Sequence, residues 1–162
     1  VGPVMQQLGI LSLEIQTMPK TYGVAFAQLH QNPYRSVATI FTHDMPTLRL
    51  WWKENPERTQ LYYNTVLEHD GKAPNELPGW LCEEIVAHHL NSPSMLCLIS
   101  LQDWLSIDDD LRNPSAEEER INVPANPRHY WRYRMHLSVA DLKNSKLLNE
   151  RIGTLISHSG RS

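Results

Sequence analysis

Long apolar runs are missing from this 162-residue sequence. None approaches the roughly 20 residues that a membrane-spanning helix needs, and no secretory leader is expected. No membrane partner is therefore expected. Cysteine is scarce: Cys82 and Cys97 are the only two. Both sit in apolar patterns, so they are expected to be reduced core residues of a cytoplasmic protein, although sequence alone leaves a disulfide open. An excess of either charge is also missing. Fifteen Lys and Arg stand against 18 Asp and Glu, a net charge of -3, which gives no pull towards nucleic acid or anionic lipid. Neither HExxH nor CxxC spacing occurs. His88 and His89 are neighbours on a helix and point apart. Asp108, Asp109 and Asp110 lack the glycine and distal glutamate of a calcium loop, which leaves a solvated acidic turn. No metal and no cofactor are expected. The first residue is Val1 rather than Met, from which the chain is expected to be a piece of a longer protein.

What is present is an ordinary folded composition, 41% hydrophobic and 20% charged, of a length that suits one domain. The densest stretch runs from Ser36 to Trp52. Val37, Ala38, Ile40 and Phe41 suit a buried strand. Thr42, His43 and Asp44 follow where that strand ends, and Pro46 suits the first turn of a helix. In α/β proteins chemistry is placed at the C-terminal ends of parallel strands, so His43 beside Asp44 is a candidate site. Trp51 and Trp52 beside it suit a flat, weakly polar ligand, but two tryptophans at a helix start are as readily core.

Elsewhere, strand and helix signals alternate. Val4, Met5 and Leu8 suit a short helix closed by Gly9. Residues 10–16 read as a strand stopped by Pro19, and one helical turn is expected near 24–29. Helices are expected from Pro46, over 56–68 with Leu61, Val66 and Leu67 on one side, and over 78–90 with Trp80, Leu81, Ile85 and Val86. Residues 95–99 form a third apolar strand, followed by Gln102 and Asp103, which either line a site or cap the next helix. Residues 111–127 contain Pro114, Pro124 and Pro127 and read as a long loop. Leu148, Ile152, Leu155 and Ile156 fall on one stripe of a final helix. Three strands separated by helices imply a parallel sheet with helices on its faces. Such a sheet is small and leaves two edges bare, as expected of part of a larger α/β unit.

Several segments, taken in order, resemble the C-terminal portion of the 4-α-glucanotransferases of the amylomaltase and plant-type disproportionating-enzyme family, in the α-amylase-like clan. They are Leu13-Glu-Ile-Gln-Thr-Met-Pro19-Lys20, Ser36-Val-Ala-Thr-Ile-Phe-Thr-His43-Asp44-Met-Pro-Thr-Leu-Arg49, Gly71-Lys-Ala-Pro74, Ser92-Pro-Ser-Met95, Leu101-Gln-Asp103-Trp-Leu and Glu119-Arg120-Ile-Asn122-Val-Pro124-Ala-Asn126-Pro-Arg-His-Tyr130-Trp131-Arg132-Tyr-Arg134. The ending Gly160-Arg-Ser162 adds to the likeness with the larger plant-type members.

The resemblance implies that residues 1–162 are the last three or so βα units of a (β/α)8 barrel, without a second domain. It implies a retaining transfer of α-1,4-glucan segments from maltose or maltodextrin donors to glucan or glucose acceptors. Asp44 matches the family carboxylate that holds sugar hydroxyls and supports the transition state. His43 matches its neighbouring transition-state histidine. Asn122, Gln102, Asp103, Trp52, Arg49 and Glu14 are the expected substrate-binding residues. Phe41 and Leu50 depart from the pattern, which has small residues there. The motifs of the family's aspartate nucleophile and glutamate acid/base are not in this sequence, so the piece alone is expected to be inactive and to need the upstream part of the same enzyme. Bare edges make self-association of the isolated piece an expectation too. The rival classes are a non-catalytic carbohydrate-binding module and a nucleic-acid-binding module. The second draws on Arg128, Trp131, Arg132, Tyr133 and Arg134, since arginines interleaved with aromatics suit stacking on single strands.

Overall fold

In the computed structural model, which describes residues 2–161, the stretch from Ser36 is a strand as the apolar run requires. Three strands, β1 (Ser12–Ile15), β2 (Ser36–Thr39) and β3 (Leu96–Leu98), form one parallel sheet in the order β1-β2-β3. The register places Leu13 beside Val37 beside Leu96, and Glu14 beside Ala38 beside Cys97. Neighbours in register share a face, and the two faces differ. Ala38 is wholly buried, and Cys97 packs against the helical core. On the other face Leu13, Leu96 and Leu98 are 47%, 45% and 60% exposed. Apolar side chains in a row at such exposure mark a surface without its covering layer.

The helices are α1 (Gly2–Leu8), α2 (Leu48–Glu54), α3 (Pro56–Thr65), α4 (Gly79–Leu90), α5 (Leu101–Leu105), α6 (Val139–Asn144) and α7 (Lys146–His158), with short 3-10 turns at Leu29–Gln31 and Glu117–Glu119. Gly9, at φ +70, ends α1 in the left-handed conformation that glycine adopts freely. In α4, Leu81, Cys82, Ile85 and Val86 are completely buried, the stripe that a 3.6-residue period predicts. Gly79 starts that helix because a Cβ there would stand 2.7 Å from the carbonyl oxygen of Ile107. Its N–H donates to Asp109 Oδ1 at 3.0 Å, so part of the acidic turn 108–110 caps a helix. Final helix α7 buries Leu148 and packs Ile152 and Leu155 on the core. Past its end, the Arg161 guanidinium donates to the carbonyls of Leu90, Ser92 and Ser94, which fastens the chain end to the α4–β3 connection.

Several expectations need correction. The strands are shorter than 10–16, 36–41 and 95–99, and the helical turn falls at Leu29–Gln31 rather than at 24–29. Helix α3 stops at Thr65, before the left-handed Glu68 (φ 57). Its buried side is Thr59 and Tyr62, while Leu61 is exposed. Tyr62 takes that place because its ring meets Phe26 and Trp51 at 5.0 and 5.7 Å and its hydroxyl donates to Gln16 Oε1 at 2.7 Å. Trp80 is exposed rather than part of the α4 stripe. Helix α6 is absent from the sequence reading, although Ser138 and Asp141 form a complete capping box there. Cys82 is buried, Cys97 is half-buried, and both are free thiols. The ending Gly160-Arg-Ser162 is described only to Arg161; Ser162 and Val1 lie outside the described residues.

Candidate functional site

Between β2 and α2 the chain runs through residues 40–47. Ile40 and Phe41 remain buried, and His43 and Asp44 emerge with side chains 56% and 51% exposed. The turn is held below by Thr39, whose hydroxyl donates to the carbonyl of Phe41 at 3.0 Å. His43 Nε2 lies 3.4 Å from Asp44 Oδ1. The same oxygen accepts a 2.6 Å hydrogen bond from Asn122 Nδ2. Asn122 comes from the long loop 106–138, and its Oδ1 accepts from the indole N–H of Trp131 at 3.0 Å. The Trp131 ring stands 5.3 Å from that of His43. His43, Asp44 and Asn122 are thus brought together, with Trp131 as a fourth member. Among the described residues Asp44 Oδ2 has no hydrogen-bond partner.

Beneath this group is a cleft of about 100 Å³, bordered by Phe41, His43, Met45, Thr47, Gln102 and Ile121. Two expected substrate-binding residues, Gln102 and Asp103, also border it from buried positions, while Arg49 lies outside its lining. Gln102 and Asp103 do not end a strand. They lie inside α5, whose N-cap is Ser100. Asp103 is buried; its Oδ1 accepts from the Leu48 backbone N–H at 2.9 Å and its Oδ2 from the Ser100 hydroxyl at 2.8 Å. The Asp103 carboxylate thus accepts from the first backbone N–H of α2 and from the N-cap residue of its own helix while bordering the cleft. Burial pushes its carboxyl above the usual carboxylate range, against the pull of those two donors. Gln102 directs its amide nitrogen at the Glu119 carbonyl, 3.4 Å away. Arg49 donates to Glu119 Oε1 at 2.5 Å and to the Asn113 carbonyl at 2.7 Å. Glu119, buried, also accepts from the Thr47 hydroxyl at 2.9 Å. Its carboxyl is raised by burial, with the Arg49 charge opposing. Arg49 and Glu119 staple the long loop to α2, which is what carries Asn122 and Trp131 to Asp44.

Two expected residues stand apart. Trp52 is 1% exposed, and its indole N–H donates to the Pro74 carbonyl at 2.9 Å. Trp51 is buried as well. The two tryptophans sit at the start of α2 on its core side, so neither offers a ring to a ligand. Glu14 is the third residue of β1, and its Oε1 accepts from the Ser12 hydroxyl at 2.6 Å and from Lys20 Nζ at 2.5 Å. The sequence places Trp131 in the family-like segment 119–134 and in an arginine-aromatic run, and neither marks it as a site residue. The residues of that run divide: Trp131 joins the site, while Arg132 lies over the Tyr130 ring at 5.5 Å. Spacing carried no signal for this, because the Asp44–Asn122 contact joins residues 78 positions apart.

The architecture is that of an α/β protein with a polar group gathered at the C-terminal end of a parallel sheet. The chain belongs to the 4-alpha-glucanotransferase family, whose model matches residues 1–139. It is similar to the 4-alpha-glucanotransferase DPE2 of rice, Oryza sativa subsp. japonica, with 39% identity over the whole chain and 17% of that protein. It is also similar to the 4-alpha-glucanotransferase of Chlamydia trachomatis, with 24% identity over 94% of the chain and 32% of that protein. Among solved structures, the amylomaltase from Streptococcus agalactiae in complex with acarbose superposes with a TM-score of 0.72 at 16% identity, over 99% of this chain and 29% of that one. The chain therefore spans between a sixth and a third of the length of these proteins. Among the described residues no helix is long and apolar enough to cross a membrane.

Proposed function

We propose that this chain is the C-terminal part of the catalytic barrel of a cytoplasmic 4-α-glucanotransferase, supplying about the last three of its eight βα units and, in Asp44, the carboxylate that steadies the transition state. The observation that carries the reading is the state of that carboxylate. At the end of the central strand, one Asp44 oxygen is held by Asn122 and faced by His43, and the other is open. Such an oxygen can accept the hydroxyls of a sugar ring. The bare sheet face of Leu13, Leu96 and Leu98 supports the barrel, because the inward residues of barrel strands fill its interior in layers.

In a retaining transfer, one carboxylate attacks the anomeric carbon while an acid protonates the leaving oxygen. An acceptor hydroxyl then displaces the covalent glucosyl group as the same acid, now a base, takes its proton. The two carboxyls stand about 5–5.5 Å apart, and hydrogen bonds to the sugar hydroxyls that tighten in the oxocarbenium-like transition state contribute several kcal/mol. Asp44 and the imidazole N–H of His43 supply such bonds. The nucleophile and the acid/base come from the upstream part of the same enzyme. Maltose, maltodextrins and glucan acceptors are the substrates on this reading. Asn122 borders the sugar site, and Gln102, Asp103 and Arg49 act as its buried support. Trp52 and Glu14 serve packing.

A maltose disproportionation assay tests this. The full-length parent releases glucose and builds longer glucans, and the 162-residue chain alone does neither. Light scattering on the isolated chain should show self-association through its bare sheet face. Glucose release by the pure chain would overturn the division of catalytic groups. A well-behaved monomer at high concentration would overturn the barrel argument.

A further inference from the structure

We propose that Trp131 is a positioning residue: its indole N–H sets which way round the Asn122 amide sits, and so which Asp44 oxygen faces substrate. The proposal rests on the glucan-transfer reading for its catalytic consequence, though not for its hydrogen bonds.

The two ends of an asparagine amide have nearly the same shape and opposite chemistry, so the network decides the orientation. An indole nitrogen can only donate. Its 3.0 Å contact with Asn122 therefore requires Oδ1 on that side, and Nδ2 is left to face Asp44 Oδ1 at 2.6 Å. Turned over, the amide would set two donors against each other at Trp131 and two acceptors against each other at Asp44. Both protein donors, Asn122 Nδ2 and the more distant His43 Nε2, then address Oδ1, and Oδ2 remains free for a sugar hydroxyl. The indole also flanks the imidazole of His43 at 5.3 Å and 58°, so one side chain limits both neighbours of the carboxylate. The loop around it is pinned independently. Arg120 Nε donates to the Asn122 carbonyl at 3.0 Å, and the His129 ring lies 2.8 Å from the Ile121 carbonyl. Trp131 itself is 61% exposed. A residue of this size contributes little to a core at such exposure; Tyr130 beside it, 72% exposed, has the Arg132 guanidinium over its ring.

In the full-length parent, Trp131→Phe keeps a ring beside His43 and removes the N–H. The expected result is a fall in kcat of about 10-fold, with the KM for maltodextrin changed by no more than about twofold. Asn122→Ala should cost at least as much, and Trp131→Phe should add nothing in the Asn122→Ala background, since a relay through one residue is not additive. An unchanged kcat, or losses that multiply, would overturn the proposal. A second measurement needs no activity. In NMR spectra of the full-length parent, the indole N–H resonance that Trp131→Phe deletes should shift and exchange with water faster when Asn122 is replaced by Ala. A resonance that does not move overturns the relay, whatever the enzyme does. A resonance that moves, with a wild-type parent that transfers no glucan, keeps the relay and removes the glucan-transfer reading.

Discussion

Asp44, in the turn that follows β2, and Asp103, in the helix that follows β3, have opposite surroundings. Asp103 is 1% exposed. Both its oxygens are taken, one by the first backbone N–H of α2 and one by the cap of its own helix. Asp44 stands in the turn before α2, where no helix of its own claims the carboxylate. Its side chain is about half exposed, with one oxygen held by a residue 78 positions away and the other open. A place shortly after a strand is thus shared by a packing carboxylate and a candidate catalytic one. What separates them is whether nearby backbone donors have already used the oxygens. A buried carboxylate with both oxygens engaged is part of the scaffold. One that is only half engaged keeps capacity for a ligand.

The largest expected effect is at Asp44. In the full-length parent, Asp44→Asn should lower transfer from maltodextrin by roughly 10²–10³-fold, comparable to the loss of one transition-state hydrogen-bonding group in other enzymes, and leave the melting temperature in place. Near-normal transfer would erase the distinction between the two aspartates. Next comes Asp103→Ala, which strands the Leu48 N–H and the Ser100 hydroxyl in a buried site. A destabilisation of about 2–4 kcal/mol is expected, read from urea unfolding at neutral pH. A stability unchanged within error would mean that the cap is not structural.

The smallest effect is one of pH, and its sign follows from burial. The Asp103 carboxyl is raised above its ordinary value of 3.8, so the folded state holds that proton more tightly than the unfolded chain. The stabilisation it brings is complete below the ordinary carboxylate range and is lost as pH rises through the raised value. Glu119 has the same sign. His89, completely buried, has the opposite one: burial lowers it to about 4, so its contribution is present above about 6.5 and lost as pH falls towards that value. Unfolding curves for wild type and Asp103→Asn, measured in parallel between about pH 3 and about pH 7, should therefore diverge in slope. Parallel curves would show that Asp103 titrates as it does in the unfolded chain.

The sequence by itself determined the three strands, the longer helices and their order, because each is written in neighbouring residues. The apolar run from Val37 makes a strand, Pro56 and the α4 stripe make helices, and Gly9 makes a stop. It also placed His43 and Asp44 at the end of β2, since a strand followed by a turn needs only a few consecutive residues to specify it. The tertiary structure decided which polar groups were already spoken for. Arg49, Gln102 and Asp103 carry the same side chains in any setting, and only the fold brings them to Glu119, Leu48 and Ser100. Trp52 and Trp131 likewise cannot be told apart as residues. One is covered by the core with its N–H on Pro74, and the other reaches Asn122 from a loop with no period to read. Contacts across such distances in sequence depend on how the loop 106–138 folds back over the sheet. That path is fixed by a buried ion pair between Arg49 and Glu119, 70 residues apart, and no local pattern encodes it.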